Sequence, residues 1–575
     1  MVDICGNEDD FATHGLRAFN HIFQDIVRPV RSGALRADPG PEGKVTVLVG
    51  GGSGHYPTFC GFVGPGFADA VVMGGIFASP SIQAVAEIGR LAHRGGGIVM
   101  GFGNYAGDNL NFGIAAERLR AEGIDTRIVV TTDDVASAPP EDRARRRGVA
   151  GDIIVFKIMG AAADAGYDID AVEAVSRKAN DHTRSFGIAF DGCALPGEAE
   201  KIFSVPEGRM ALGLGIHGEP GIEERALATP DAIAAELYQR VMAECPSQAR
   251  RLAVLLNGAG ATATEELFVL WNELESLFER DGITLIAPLV GSYATSLDMY
   301  GCSLTITWLD DELERFWRAP VNAPVLCRHA VKGDWVPASR QEIAVRPVDY
   351  APAGTPLGAK SGKCIARAMA RLSHTMAENE AMLGRIDAIA GDGDHGQGMA
   401  RGARAAARAA DLAMAAGGGA RTVMEAAADA WGDRAGGTSG ALWGEALFAF
   451  ARHLDNHSAI DARQVVDGIV AAAQRIRDIG KAEPGDKTLV DALVPFVACL
   501  QDRTEEDTPG TKTFGPVWRK AVAEAHRGAE ATKAFAARKG RAKTHGDHSM
   551  GYPDPGALSF ALAMDSLTEL VGGLD

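Results

Sequence analysis

The chain has no C-x-x-C pair, no G-x-x-x-x-G-K-[ST] loop and no excess of basic residues. Each absence excludes a class. Its eight cysteines, at 5, 60, 193, 245, 302, 327, 364 and 499, lie far apart; that pattern suits reduced thiols and not a disulfide framework. A formal charge of −18 argues against a nucleic-acid or anionic-membrane surface, because nothing would release counterions from phosphates. No apolar run approaches the ~18 residues of a spanning helix. The start, Met-Val-Asp-Ile-Cys-Gly-Asn-Glu-Asp-Asp, lacks the basic flank and apolar stretch of a signal peptide. The expectation is a soluble cytoplasmic protein with no nucleic-acid or membrane partner. Its 575 residues, 46% hydrophobic and 23% charged, suggest about three to four domains or subdomains with ample core.

What is present is a crowd of carboxylates. Asp387, Asp392 and Asp394 fall within eight residues, in Asp387-Ala-Ile-Ala-Gly-Asp392-Gly-Asp394-His395-Gly396. Like charges this close repel, so a cation is the natural reason to keep them in one turn. All-oxygen ligands without Cys or His suit a hard ion, Mg²⁺ before Ca²⁺. An EF-hand needs a Glu at about the twelfth loop position; counting from Asp392 reaches Ala403, so that reading fails. A Mg²⁺ site with open positions serves a phosphate-bearing substrate. The plain alternative is a solvated acidic turn capping a helix.

Composition divides the chain. Residues 1–335 alternate short apolar runs with amphipathic stretches: Val45–Val49, Val71–Met73, Ile98–Met100, Arg127–Val130 and Ile153–Phe156. These read as strands of an α/β sheet. Leu252–Leu256, Ile283–Pro288 and Leu304–Trp308 read as a second α/β unit. Residues 336–360 include Arg346-Pro-Val-Asp-Tyr-Ala-Pro-Ala-Gly-Thr-Pro, a linker by its Pro and Gly content. From 361 to 575 the pattern is Ala- and Arg-rich at helical spacing, as in Met399–Ala416, Thr422–Trp431 and Arg463–Ile479, and predicts an all-α domain.

Val45-Thr-Val-Leu-Val-Gly-Gly-Gly-Ser-Gly-His55 is a strand emptying into a glycine-rich loop, through Gly52, Ser53 and Gly54 to His55. Open α/β sheets bind ligands at the carboxyl ends of their strands. Asn104-Tyr-Ala-Gly-Asp108 follows another strand, and Leu212-Gly-Leu-Gly-Ile-His217-Gly-Glu-Pro-Gly a third apolar run. Two imidazoles and a carboxylate at three strand ends would allow a neutral imidazole to attack a carbonyl while the others move protons. In the helical part, Gly436-Gly-Thr438-Ser439-Gly440, Gly480 to Leu489, and the long segment from Gly540 through His548 to Asp554-Pro555-Gly556 offer backbone N–H groups and mixed charge for a phosphate ligand.

With these motifs together, the chain closely resembles the dihydroxyacetone kinase family, in its single-chain, ATP-using form, over nearly its whole length. The N-terminal half resembles the ketose-binding domain through Gly50-Gly-Gly-Ser-Gly-His55, Asn104-Tyr-Ala-Gly-Asp108, Gly215-Ile-His217-Gly-Glu-Pro-Gly and Thr295-Ser-Leu-Asp-Met. The C-terminal half resembles the nucleotide domain through Gly391-Asp-Gly-Asp-His-Gly, Gly437-Thr-Ser-Gly, Pro484-Gly-Asp-Lys-Thr, Gly540-Arg-Ala and Asp554-Pro-Gly. The resemblance implies an antiparallel α-helical barrel for that half, and a homodimer. It implies a hemiaminal between His217 and the substrate ketone, with Asp108 and His55 moving the hydroxyl proton and Gly52, Ser53, Gly54, Gly103 and Asn104 lining the ketose. Asp387, Asp392 and Asp394 would hold two Mg²⁺. His395, Gly396, Thr438, Ser439, Gly480, Leu489, His548, Asp554, Pro555 and Gly556 would contact ATP.

Two departures bear on substrate. Where the family has Lys-Asn-Tyr-Thr-Gly-Asp, this chain has Gly103 and Ala106; where it has Glu after the loop histidine, Tyr56 stands here. The family's Gly-Glu-Arg-Ser appears as Gly546-Asp-His548-Ser. The replacements at Gly103, Ala106 and Tyr56 resemble the erythrulose-kinase branch, so erythrulose is favoured over dihydroxyacetone. The alternatives are a branched, apulose-like ketose and a ketose-binding regulatory protein without turnover.

Overall fold

The computed structural model of the chain describes residues 8–329, 354–504, 514–539 and 549–572. The chain forms two compact units, Met1–Ala338 and Ser339–Asp575.

The first unit is α/β with two large sheets and a two-stranded antiparallel ribbon of Val321–Ala323 with Leu326–Arg328. Strands β1 (Val27–Val30), β2 (Gly33–Arg36), β3 (Thr46–Ser53), β4 (Ala70–Ile76), β5 (Ile98–Gly103) and β6 (Thr126–Thr131) lie in the order β1-β2-β4-β3-β5-β6. The last four run parallel, and β3 and β5 are buried along their whole length, as strands covered on both faces must be. With this sheet go helices α1 (Glu8–Ile22), α2 (Ile82–Ala92), α3 (Ala106–Ala121), α4 (Gly151–Asp164) and α5 (Ile169–Asp181). The second sheet holds β7 (Thr183–Asp191), β8 (Arg209–Leu212), β9 (Glu223–Ala226), β10 (Arg251–Gly258), β11 (Thr284–Leu285), β12 (Leu289–Gly291) and β13 (Tyr300–Trp308), in the order β11-β10-β13-β7-β8-β9 with β12 also on β10. Its helices are α6 (Pro230–Met242), α7 (Thr264–Arg280) and α8 (Asp311–Arg318).

One expected strand is a helix. Ile153–Phe156 lies inside α4, whose residues from Gly151 to Ala163 are all buried. Helix α4 packs against strands of both sheets and its side chains share one core with Val47, Val49, Ala253 and Leu255. An element covered on every side is apolar on every side, which erases the periodicity that separates helix from strand. The run Ile283–Pro288 is likewise not one strand: Ala287, at φ 47°, breaks it between β11 and β12.

The second unit is helical throughout its described residues. Its helices are α9 (Pro356–Ala390), α10 (His395–Ala415), α11 (Ala420–Ala435), α12 (Gly437–Ala451), α13 (Ala462–Gly480), α14 (Val490–Thr504), α15 (Phe514–Ala531) and α16 (Pro555–Ser566). Each packs against its successor, and α16 returns to α9, closing an antiparallel ring. Helix α9 begins five residues before position 361, inside the stretch read as linker. Thr355 caps it by accepting the Gly358 N–H at 3.1 Å, and Pro356 fits the first turn, where no N–H is needed. Residues 336–353 of that stretch lie outside the described residues. Trp431 and Trp443 stack at 5.2 Å within the core of the ring. In an alternating up-and-down ring, the connections after α9, α11, α13 and α15 share one end. Among the described residues, that end carries the nucleotide motifs named above. No helix among the described residues is long and apolar enough to cross a membrane.

Candidate active site

In the first unit the parallel strands deliver their loops to one edge. His55 follows β3, and Asp108 sits in the first turn of α3, which follows β5. His217 lies in the turn between β8 and β9. The two imidazoles meet with Nε2 to Nε2 at 3.0 Å. His55 Nδ1 donates to the Thr295 carbonyl at 2.7 Å, and Ser296 Oγ donates to the Ile216 carbonyl, so the Thr295-Ser296 segment braces both loops. His217 Nδ1 is 3.0 Å from Glu219 Oε1, and the His217 backbone N–H donates to Glu219 Oε2 at 3.0 Å. Around the His217 ring stand Tyr105, edge-on at 4.8 Å, and Phe77 at 5.1 Å. Burial, and then the charge of His217, hold His55 down at about 3, so His55 is neutral at physiological pH. Burial raises Glu219, but the His217 hydrogen bond and charge outweigh it and leave the carboxyl at about 2.

Asp108 is 9% exposed, and its Oδ1 is buried without a hydrogen-bond partner. Burial raises its pKa, against the pull of Ser79 and His217. A carboxylate oxygen desolvated and unpaired next to an imidazole is an acceptor awaiting a hydroxyl. The other expected ketose contacts divide. Gly103 ends β5, and a Cβ there would stand 3.1 Å from the Tyr105 ring. Ser53 Oγ is already committed to the Gly74 carbonyl at 2.6 Å. The Asn104 amide donates to the Arg146 and Ala144 carbonyls at 2.7 and 3.1 Å, and its oxygen accepts from Asn109. Asn104 therefore braces its own loop with the groups expected to face a sugar.

At the loaded end of the helical ring, Asp387 lies near the end of α9, and Asp392 and Asp394 in the turn to α10. One oxygen of each lies within 4.8 Å of the others. Hard carboxylate oxygens gathered this closely suit Mg²⁺, since only a small side-chain adjustment brings them within the ~4.2 Å that separates opposite ligands on ~2.1 Å bonds. Asp387 also accepts the His395 N–H at 3.2 Å. His395, whose pKa burial lowers, bridges Ser559 Oγ at 3.0 Å and Ser439 Oγ at 3.4 Å. It thereby ties α10 to α16 and α12. Thr438 and Ser439 lie in the first turn of α12 and Gly480 ends α13. The Asp554-Pro555-Gly556 turn starts α16, with Asp554 accepting the Ala557 N–H at 2.7 Å. Burial raises Asp554 to about 7. Leu489 packs beside Gly556. Four helix N-termini share this end, and the positive ends of their dipoles favour phosphate oxygens. His548 lies outside the described residues.

Two family models match the chain, the Dak1 domain over residues 18–325 and the DAK2 domain over residues 389–569. The chain belongs to the dihydroxyacetone kinase family. It is similar to the L-erythrulose 1-kinase of Mycolicibacterium smegmatis, 46% identical over 99% of both chains. It is also similar to the D-erythrulose kinase of the same organism, 45% identical over 94% of each. Among solved structures, the dihydroxyacetone kinase from C. freundii in complex with AMP-PNP and Mg²⁺ aligns with a TM-score of 0.56. The identity is 28%, covering 96% of this chain and 98% of that one.

Within this family member, three residues escape a reading by motif. Glu219 lies inside the quoted Gly-Ile-His-Gly-Glu-Pro-Gly run, yet its grip on His217 depends on a turn that sequence does not reveal. Arg147 reaches Asp134 at 2.7 Å and stands 3.7 Å from Glu219, from a segment with no motif. Lys487, 5% exposed, donates to the carbonyls of Thr532, Ser549 and Tyr552 at 2.7 to 2.9 Å, with that of Phe535 at 3.2 Å. It lies in Pro484-Gly-Asp-Lys-Thr, and its ammonium is enclosed by backbone carbonyls.

Proposed function

We propose that this chain phosphorylates a primary hydroxyl of erythrulose, with the ketose held as a hemiaminal on His217. That it is an ATP-dependent ketose kinase follows from its family. The particular ketose and the covalent tether are our reading. Residues 1–335 serve as the ketose domain and the helical unit from Pro356 onward as the nucleotide domain, so that the linker read over 336–360 ends at the Thr355 cap. The observation that carries the tether is the 3.0 Å contact of His217 with His55, beside an Asp108 oxygen that lacks a partner. In this reading Asp108 and His55 move the proton of the attacking hydroxyl, and His55 also serves the carbonyl oxygen during capture. Covalent capture selects a ketone over a polyol, which fit alone separates poorly.

Asp387, Asp392 and Asp394 fit two Mg²⁺, whose contribution when bound is to neutralise and orient the ATP phosphates. His395, Gly396, Thr438, Ser439, Gly480, Leu489, His548 and the Asp554-Pro555-Gly556 turn are assigned to the nucleotide. The family resemblance supports a homodimer, which sedimentation equilibrium tests. For the substrate, erythrulose is supported by two relatives at 45–46% identity and by Gly103 in place of a lysine.

The deciding measurement is kcat/KM with ATP for dihydroxyacetone, both erythrulose enantiomers and branched ketoses. We expect erythrulose to lead; a lead for a branched ketose overturns the choice, and no turnover with any ketose supports the regulatory reading. Asp392→Asn should lower kcat by about 10²-fold or more, as loss of a charge-neutralising group does, with an unchanged circular dichroism spectrum.

A further inference from the structure

The hydrogen bonds around His217 define a proton inventory. A carbonyl only accepts, so the Thr295 contact requires a proton on His55 Nδ1 and leaves His55 Nε2 as a lone pair in the neutral ring. Glu219, an ionised carboxylate, also only accepts, so the contact at Oε1 requires a proton on His217 Nδ1. Between these fixed ends the two Nε2 atoms face each other at 3.0 Å. Two lone pairs at that distance would repel; one proton between them makes a hydrogen bond. The arrangement is therefore satisfied with His217 as an imidazolium that donates on one side to Glu219 and on the other to His55.

We propose that Glu219 is the positioning residue of substrate capture, holding His217 as a cation before and after the ketone binds. Capture then exchanges a proton for a carbon at Nε2. The His217 Nε2 proton passes to the lone pair of His55 Nε2. The freed His217 lone pair forms the Nε2–C bond, the carbonyl π pair moves to oxygen, and that oxygen takes the proton from His55. His55 ends neutral, as it began. His217 ends as an N-substituted imidazolium with the same charge, still bonded through Nδ1–H to Glu219. Atoms and charge balance within the site, without a proton from solvent. This rests on the hemiaminal reading above.

The local sequence is built for this grip. Glu219 holds both the backbone N–H and the ring of the same residue, which fixes the imidazole's rotation. A Cβ at Gly215 would fall 2.1 Å from Glu219 Oε2 and 2.3 Å from Arg147 Nη1, so only glycine there lets carboxylate and guanidinium approach. Arg147 Nε donates to Asp134 at 2.8 Å, so the guanidinium that backs Glu219 is itself anchored. The other titratable groups facing the His217 ring are His55, Asp108 and Tyr105, whose hydroxyl is buried without a partner.

The test uses the full chain, without nucleotide, and ketose labelled with ¹³C at the carbonyl. In the parent, a tetrahedral carbon signal is expected, and calorimetric titration in two buffers of different ionisation enthalpy should show no net proton uptake or release. Glu219→Gln keeps the shape but removes the charge, and should weaken adduct formation between about 10²- and 10⁴-fold, the range for losing the partner that sets an imidazole's tautomer. The ¹⁵N shifts of His217 should change from a doubly protonated ring to a single tautomer. Glu219→Asp should restore part of both, which guards against a merely misfolded variant. An equal adduct in Glu219→Gln overturns the role of Glu219, and proton uptake by the parent overturns the exchange. No tetrahedral signal in the parent overturns the hemiaminal reading itself.

Discussion

At the residue scale, the ketose site is a set of polar groups held dry, and its titration bears on stability. Unfolded, His55 takes a proton near 6.5; folded, it refuses until about 3. The unfolded chain binds more protons in that window, so stability falls as pH drops from 6.5 towards 3. Glu219 acts in the same direction lower down, between 4.5 and about 2, whereas Asp108, raised by burial, opposes it. Denaturant unfolding of His55→Asn should therefore show a flatter pH dependence than the parent between pH 6.5 and 4; parallel slopes would remove His55 as the cause. Gly103 carries a second prediction. A lysine there must displace the Tyr105 ring, which a Cβ alone approaches to 3.1 Å, and it refills space beside the ketose. Gly103→Lys should lower kcat/KM for erythrulose relative to dihydroxyacetone by roughly 10-fold, within the range for one or two groups in a pocket. His55, Asp108 and His217 were legible because each stands in a glycine-rich run after an apolar segment. Glu219 and Arg147 were not, because their meaning lies in a distance across the fold. Asn104 was legible as a site residue, but its amide is spent on loop carbonyls.

At the scale of elements, alternation explains how scattered motifs meet. Eight helices that reverse direction at every turn leave four connections at one end, and positions 387–396, 436–440, 480–489 and 554–556 fall there. Lys487 fastens this end. One ammonium gathers carbonyls from four positions between 532 and 552, joining the end of α15 to the approach to α16. Lys487→Met would leave those carbonyls buried without their donor, at about 1–3 kcal/mol for each that finds no water. The melting temperature of the helical unit should fall and KM for ATP should rise, while ketose binding stays as in the parent; an unchanged KM for ATP would confine Lys487 to stability. Helical spacing made α10, α11 and α13 readable, and strand ends made β3 to β6 readable. Helix α4 was not, since an element pressed between two sheets has no polar face to mark its period.

At the scale of the whole molecule, the two units have separate cores. The apolar residues of the helical ring form one cluster that includes none from the sheets, and the sheets have their own clusters. Differential scanning calorimetry should resolve two transitions. ATP with Mg²⁺ should raise one by mass action, by about 2.7 kcal/mol at a hundred times Kd, and ketose should raise the other. A single transition raised by either ligand would mean that the units unfold as one. The contrast of α/β with all-α was legible from composition and spacing. The closing of the ring was legible only through the family resemblance, because spacing does not reveal α16 reaching back some 170 positions to α9.

That reach has a consequence for the order of events during synthesis. The imidazole at 395, next to the third aspartate, is steadied by a hydroxyl at 559, so one wall of the proposed nucleotide pocket leaves the ribosome well after the acidic turn. A nascent chain that has emerged only as far as α15 has its acidic turn but lacks the helix that completes the circle. The affinity for ATP thus arrives late and all at once, and an unfinished kinase has nothing with which to spend it.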